Sequence, residues 1–348
     1  MPPGCNHGFV AANIRAARHL LAQTGCADLP LADGVTRSLN NAIGFDGYCL
    51  FAVDPITGLR SAMFSEHGLK VPTERLVHNE TVEHDVNRYS ELIRRQGHVG
   101  VLSLRHAPEP HSPRLHEIMR PEGYVSELRL VLVAGSRYWG ALSLFRDERR
   151  HPFTTVHEES AQALAGPLCA AVRRHQVRRP GATRDARRAG VVLVGVDGRL
   201  LSVSPEAHEW LIDLTSTGSD GVTVDDASRM LHEVAHAAVQ SQPNPSCRVR
   251  TREGRWLVIS GTKTPSTPVA ATVVIQPAAI DQTLPAFAAW CGLSRRESQV
   301  AQLLARGLAT KQIARRLDLS IHTVNDHLQS AYRKASVNGR DELLALLI

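Results

Sequence analysis

The chain has 348 residues, 43% hydrophobic and 21% charged, with a formal net charge of +6. That length suits two or three domains at roughly 100–200 residues each, and the composition is that of an ordinary globular protein. No run approaches the ~18 apolar residues of a membrane span, since the longest candidate, "LAGPLCAAV", is short and interrupted.

The N-terminus, "MPPGCNHGFVAANIRAARHLLAQ", lacks the charged start, apolar middle and cleavage site of a signal peptide, so a cytoplasmic protein without membrane partners is expected. Cys5, Cys26, Cys49, Cys169, Cys247 and Cys291 include no C-x-x-C pair, which argues against a disulfide framework or zinc knuckle and for free thiols. Charge is uneven. Arg173 to Arg188 holds seven arginines against Asp185 alone, and from Gly292 onward nine basic residues face five acidic ones. A local basic excess is the footprint expected of a nucleic-acid partner, although an arginine-rich linker is as often merely solvated.

Residues 10–43 read as two amphipathic helices broken at "ADLP". "GYCLFAVDPITGLRSAMFSEHG" follows as strand, Pro/Gly turn and strand, and "PTERLVHNETVEHDVNRYSELIRRQ" has helical periodicity. A short helix near "SPRLHEIMR" precedes the strands "SELRLVLVAG" and "YWGALSLFRD", joined at Gly135-Ser136, and a closing helix over "TTVHEESAQALAGPLCAAVRRHQ". This order describes an antiparallel sheet flanked by helices. Above all in "WGALSLFR" followed by "FTTVHEESAQALAGPLCAAVRR", it resembles a GAF sensor domain over residues 36–176. The resemblance implies a pocket between sheet and helices and admits a small-molecule effector there. Trp139 and Phe145 are expected in the core rather than in a ligand cage, and Cys49 is expected to be a buried structural thiol.

"RRPGATRDARRAG" marks a linker. Beyond it, "GVVLVGVDGRLLSVSPEAHEWLIDL" reads as strand, Asp-Gly turn, strand and helix, and "SCRVRTREGRWLVISGTK" with "PVAATVVIQPA" supplies three further strands. That order is similar to a PAS domain, over residues 189–278.

From Leu293 the signals sharpen. Ser294 and Glu297 form a capping box opening a helix whose apolar face is Val300, Leu303 and Leu304, and Gly307 ends it. Thr310 is expected to cap the next helix, in which Ile313, Ala314 and Leu317 point inward. The turn Asp318-Leu319-Ser320 follows, with Leu319 at the corner and Ser320 as the next N-cap. In the last helix Val324, Leu328, Ala331 and Ala335 share one face at 3.6-residue spacing. Two helices around a short turn with this small/apolar pattern describe a helix-turn-helix rather than a bland helical hairpin, which needs neither a polar outer face nor a basic flank.

The stretches "LSRRE", "LLARG", "KQIARRLDLS", "HTVNDH" and "RKASVNGRDELLALL" resemble, without gaps, the LuxR-type output domain of bacterial transcription regulators over roughly residues 285–348. Ala301 and Ala335 stand where that family usually has leucine, Asn325 where lysine is common, and "ASV" where "LGV" is usual. Helical geometry puts His322, Asp326, Gln329 and Arg333 opposite the core, flanked by Asn325, a face that fits a DNA major groove. Asn325 or Gln329 can pair with adenine, and Arg333 can reach guanine or a phosphate. Thr310, Lys311 and Arg315, with Lys334, are expected to hold phosphates, and Ser320 and Thr323 at the helix start are expected among the DNA-binding residues. Asp326 either accepts from cytosine N4 or pairs with His322, and the pairing is favoured. The apolar terminal helix from Asp341 to Ile348 can cover the recognition helix and offer the remainder to a partner; the resemblance implies a homodimer through it, whereas core packing alone is the plainer reading.

The expected fold is therefore multidomain: an α+β GAF-like domain, an α+β PAS-like domain and an all-α, four-helix LuxR-type helix-turn-helix domain. The expected divisions are an N-terminal helical segment 1–35, a sensor 36–176, a basic linker 177–188, the PAS-like domain 189–278 and the DNA-binding domain 279–348. The expected function is a regulator binding double-stranded DNA under sensor control, not an enzyme. The rival, a modifying or redox enzyme in the GAF-like module, needs an aligned nucleophile and base, which the sequence does not show. There is no Walker loop and no G-x-S-x-G. No cofactor is expected, and His106, His111 and His116 lack metal-ligand spacing.

Overall fold

The structure is a computed structural model, and it describes residues 4–25, 30–104, 112–177, 188–214, 224–251 and 253–347. Residues 178–187 of the expected linker, with His106, His111, Cys26 and Ile348, lie outside the described residues.

The first domain runs α1 (Gly4–Gln23), α2 (Leu31–Ala42), β1 (Gly47–Val53), β2 (Arg60–Glu66), α3 (Thr73–Thr81), α4 (Tyr89–Leu92), β3 (Val99–Ser103), β4 (Tyr124–Ala134), β5 (Arg137–Asp147) and α5 (Thr155–Gln176). Its antiparallel sheet has the order β2-β1-β5-β4-β3. The division expected between residues 35 and 36 falls inside α2. That helix buries Leu31, Val35 and Leu39 in the same core as α5, which ties the N-terminal helices to this domain.

Period-two alternation gives the sheet two different faces. Leu50, Leu128, Leu130, Leu142 and Leu144 point to one side and meet Leu164, Leu168 and Val172 of α5 in an apolar core with Trp139. The other side carries Cys49, Phe51, Glu127, Arg129, Val131, Ser143 and Phe145 beneath α3, α4 and a tight π-helical turn, Arg114–Met119. The single helical stretch expected over residues 72–96 is broken. Asn79 donates to Glu83 and Asp85 at 2.9 Å each and Asn87 adopts φ 58°, so side-chain bonds replace the backbone ladder between α3 and α4.

The second domain comprises β6 (Gly190–Gly195), β7 (Leu200–Val203), α6 (Pro205–Leu214), α7 (Val224–Val239), β8 (Ser246–Arg250), β9 (Trp256–Ser266) and β10 (Val269–Pro277), with the sheet order β7-β6-β10-β9-β8. Relative to chain order this repeats the arrangement of the first sheet, giving two α+β modules of the same strand order. The sequence reading passed over α7, whose Leu231, Val234 and Ala238 cover this sheet with Trp210 of α6.

The two modules are joined by ion pairs. Asp54, fully buried, accepts from Arg248 Nη1 at 2.7 Å and from its backbone N–H at 3.0 Å. Arg60 Nη1 stands 3.0 Å from Glu233 Oε1.

The C-terminal helices are α8 (Ile280–Cys291), α9 (Arg295–Ala305), α10 (Thr310–Leu317), α11 (Ile321–Ala335) and α12 (Arg340–Leu347). The last four are the expected helix-turn-helix domain. Helix α8, which the sequence reading did not place, ends at Gly292, where φ 70° stops the helix.

Candidate nucleic-acid interface

The helix-turn-helix is built from its caps inward. Ser294 Oγ accepts from Glu297 N–H at 3.2 Å and Glu297 returns to Ser294 N–H at 2.6 Å, completing the capping box. Thr310 does not cap α10. Extended Ala309 occupies that position and donates its N–H to Gln312 Oε1 at 2.8 Å, so the glutamine supplies the side-chain half of the cap and Thr310 is the first helical residue. Ile313 and Ala314 are buried where α10 meets its neighbours, Asp318 turns the chain at φ 54°, and half-buried Leu319 plugs the corner. Ser320 Oγ accepts from Thr323 N–H at 3.0 Å and caps α11 as expected, with Thr323 Oγ1 2.8 Å from the same hydroxyl. Val324, Leu328, Ala331, Tyr332 and Ala335 are buried on its inner face.

Opposite them, His322, Asn325, Asp326, Gln329 and Arg333 are exposed, as are Lys311 and Arg315 on α10. His322 Nε2 lies 3.7 Å from Asp326 Oδ2, the favoured pairing, although both side chains stay largely in solvent. Arg333 Nη2 donates to Ser330 Oγ at 3.3 Å. Within the described residues Asn325, Gln329, Lys311 and Arg315 have no side-chain hydrogen bond or ion pair, which leaves their donors and acceptors open on one surface.

The Lys334 Nζ is 2.7 and 3.0 Å from the two oxygens of the buried Glu297 carboxylate, so its charge has a partner inside the domain. Burial pulls the Glu297 carboxyl upward, but Lys334 and the Ser294 amide outweigh it and hold the group down at about 2.

The terminal helix packs inward, in line with the plainer of its two readings. Leu343, Leu346 and Leu347 are buried against α8 and α11, and Trp256 of the second domain donates its indole N–H to Leu346 O at 2.8 Å. Trp256 stacks on Trp290 of α8, centroids 5.0 Å apart and planes 7° apart, and Arg173 of α5 donates to Trp290 O at 2.7 Å. The apolar side of α12 thus packs within its own chain.

The sequence reading missed a buried charge network on the second face of the first sheet. Arg114 bridges both oxygens of Glu127 at 2.7 Å each; Arg129 lies 3.1 Å from Glu127 and 3.0 Å from Glu80. Burial pulls Glu127 upward, but Arg114 and Arg129 overcome it and hold the carboxyl at about 2. The signal was there in "SELRLVLV", where Glu127 and Arg129 alternate with leucines in a strand buried on both faces. The pocket expected between sheet and helices exists but encloses only about 40 Å³. A roomier cleft of about 420 Å³ lies between the domains, lined by His78 of α3, Gly195–Gly198 and the α7 residues His232 and His236.

Among the described residues no group of three or more His, Cys, Asp or Glu could hold a metal ion, and no helix is long and apolar enough to cross a membrane. Cys169 and Cys247 are buried free thiols, whereas Cys49 and Cys291 are only half-buried. Burial pushes Cys169 and Cys291 up to about 12.

A capped helix-turn-helix presenting an open polar face and flanking cations defines a DNA-binding protein. The family pattern of bacterial regulatory proteins, luxR family, matches residues 292–347. The spore germination protein GerE of Bacillus subtilis (strain 168) is 38% identical over 56 residues, 16% of this chain and 76% of that protein. The chain belongs to the luxR family of bacterial regulatory proteins and is a DNA-binding transcriptional regulator. Among solved structures, the GAF domain of a phosphoenolpyruvate-protein phosphotransferase from Coxiella burnetii is 19% identical, covering 48% of this chain and 94% of that one at a TM-score of 0.30. Escherichia coli SdiA is 13% identical, covering 95% of this chain and 94% of that one at a TM-score of 0.34.

Proposed function

We propose that α11 reads operator DNA in the major groove while α10 fixes its register, and that the two α+β modules control when this happens. The observation that carries the reading is the outward face of α11, where Asn325 and Gln329 keep both amide donors and acceptors uncommitted beside the exposed cations of α10. Asn325 or Gln329 pairs with an adenine edge, Arg333 reaches guanine or phosphate, and Thr310, Lys311 and Arg315 approach the backbone. Ser320 and Thr323 sit at the helix start against the same strand, with His322 and Asp326 beside them. Two chains as a homodimer would set recognition helices on half-sites about one helical turn apart. A small-molecule effector acts by binding one arrangement of the modules better than another. The cleft between α3 and α7 has the room for an organic effector that the 40 Å³ pocket lacks.

The test is selection from a randomised duplex pool by the full-length chain, followed by affinity measurements at several salt concentrations. Enrichment of one sequence with a steep fall of affinity in salt is the expected result. A cooperatively folded chain showing no salt-dependent duplex binding would overturn it.

A further inference from the structure

The small pocket in the first domain lies in a buried environment whose charges do not balance. Arg60, Arg114, Arg129 and Arg229 surround it, and among the described residues the carboxylates that pair with them are Glu80, Glu127 and Glu233, which leaves one positive charge over. The unmatched group is Arg229. It comes from α7 of the second domain, is 9% exposed, and among the described residues has one side-chain hydrogen bond, from Nη2 to Leu69 O at 3.1 Å. Its Nε, like that of Arg60, is buried without a partner. A buried guanidinium without a counter-charge is expensive, because desolvation is not offset, and buried charges are ordinarily paired.

We propose that this pocket binds a compact planar monoanion, an oxyanion of the size of nitrate, bicarbonate or acetate, with Arg229 as its main ligand. One negative charge neutralises the surplus. A volume of about 40 Å³ holds such an ion or roughly three waters, and no larger organic anion. A planar oxyanion matches the guanidinium fork. Tyr89 and Ser143, whose hydroxyl oxygens are 3.0 Å apart at the pocket wall, share one hydrogen bond and leave one neutral donor for the ion. Because Arg229 belongs to the second domain and the pocket to the first, the ion joins the modules whose arrangement the proposed regulation depends on. Binding is read without DNA, so its failure leaves the DNA-binding reading untouched.

The experiment follows thermal unfolding of the full-length chain in sodium nitrate, bicarbonate, acetate and chloride against gluconate at equal ionic strength, with calorimetric titration of the same anions into the folded protein. At least one planar oxyanion should raise the midpoint by ~3 °C or more over gluconate, with saturable heat. Arg229→Gln should abolish both effects, and Arg229→Lys should retain a weakened one. No difference between the compact anions and gluconate would mean a pocket holding water only and would overturn the proposal. So would a chloride effect without an oxyanion effect, or an oxyanion effect that survives in Arg229→Gln. Should Arg229→Gln fail to fold, the wild-type titration decides alone.

Discussion

Lys334 and Glu297, thirty-seven positions apart, form the ion pair that clamps the end of the recognition helix to the start of α9. Glu297 serves two partners at once, the capped amide of Ser294 and the ammonium of Lys334. Lys334→Ala should therefore lower the stability of the DNA-binding domain by about 2 kcal/mol, the worth of a charge-assisted hydrogen bond whose buried acceptor is then left short. Chemical denaturation of the variant and parent checks this.

The same pair fixes a pH dependence. The folded Glu297 carboxyl, at about 2, titrates below its ordinary value of 4.5, so its contribution is complete above the unfolded value and is lost as pH falls from there toward about 2. Glu297→Gln should lower stability by a constant amount above about pH 5, where the ionised carboxylate contributes in full, and flatten the acid limb between there and about pH 2, so that parent and variant converge at low pH. An acid limb identical to the parent's would show that the carboxyl is not held down.

The helix-turn-helix was legible because its determinants are local. Ser294 with Glu297 and Ser320 with Thr323 are three residues apart, and the apolar face of α11 follows one period. Thr310 was misplaced because Gln312 competes for the same cap and a sequence alone does not rank the two. The ion pair of Lys334 was not legible because its partner lies on another helix, and exposure inferred from periodicity does not show a contact across a crossing. The charge network of Glu80, Arg114, Glu127 and Arg129 needs three separated segments, α3, the turn at Arg114 and β4, to meet beneath one sheet face. Helix α7 and the Arg229 it delivers into the other domain depend on how two modules dock.

Reading and holding should separate on this surface. Asn325→Ala or Gln329→Ala should flatten preference at one base position, a loss of roughly 1–3 kcal/mol of discrimination, with the salt slope nearly unchanged. A binding selection on randomised operators measures it. Retention of the parent's full preference by both variants would exclude this face from the groove.

Lysines 311 and 334 make a matched pair of controls. Lys311 is exposed with no internal partner among the described residues, so Lys311→Ala should weaken all duplexes about equally and reduce the salt slope by about one unit. Lys334 is already neutralised by Glu297, so Lys334→Ala should leave the slope within error of the parent's while the domain melts earlier. Affinities at four or more salt concentrations distinguish them; equal losses of slope would mean that the pair opens when DNA binds.

Docking of the DNA-binding domain on the rest of the chain turns on Trp256. Its ring stacks on Trp290, and its N–H satisfies the carbonyl of Leu346, one of the four at the end of α12 that no helical N–H can reach. Trp256→Phe keeps an aromatic surface and loses the hydrogen bond, at about 1 kcal/mol. Trp256→Ala removes both and should cost about 3–5 kcal/mol, with Trp290 becoming accessible to solvent. Neither change reaches the face of α11, so base preference should be the parent's in both. Trp290 emission, acrylamide quenching and limited proteolysis around residues 278–292 follow the docking, and operator selection follows the reading. A Trp256→Ala chain whose Trp290 stayed as protected as the parent's would show that the dock is held by Arg173 and the leucines of α12 instead. A shifted base preference would show that the dock and the recognition helix are coupled through the core of α9 and α11.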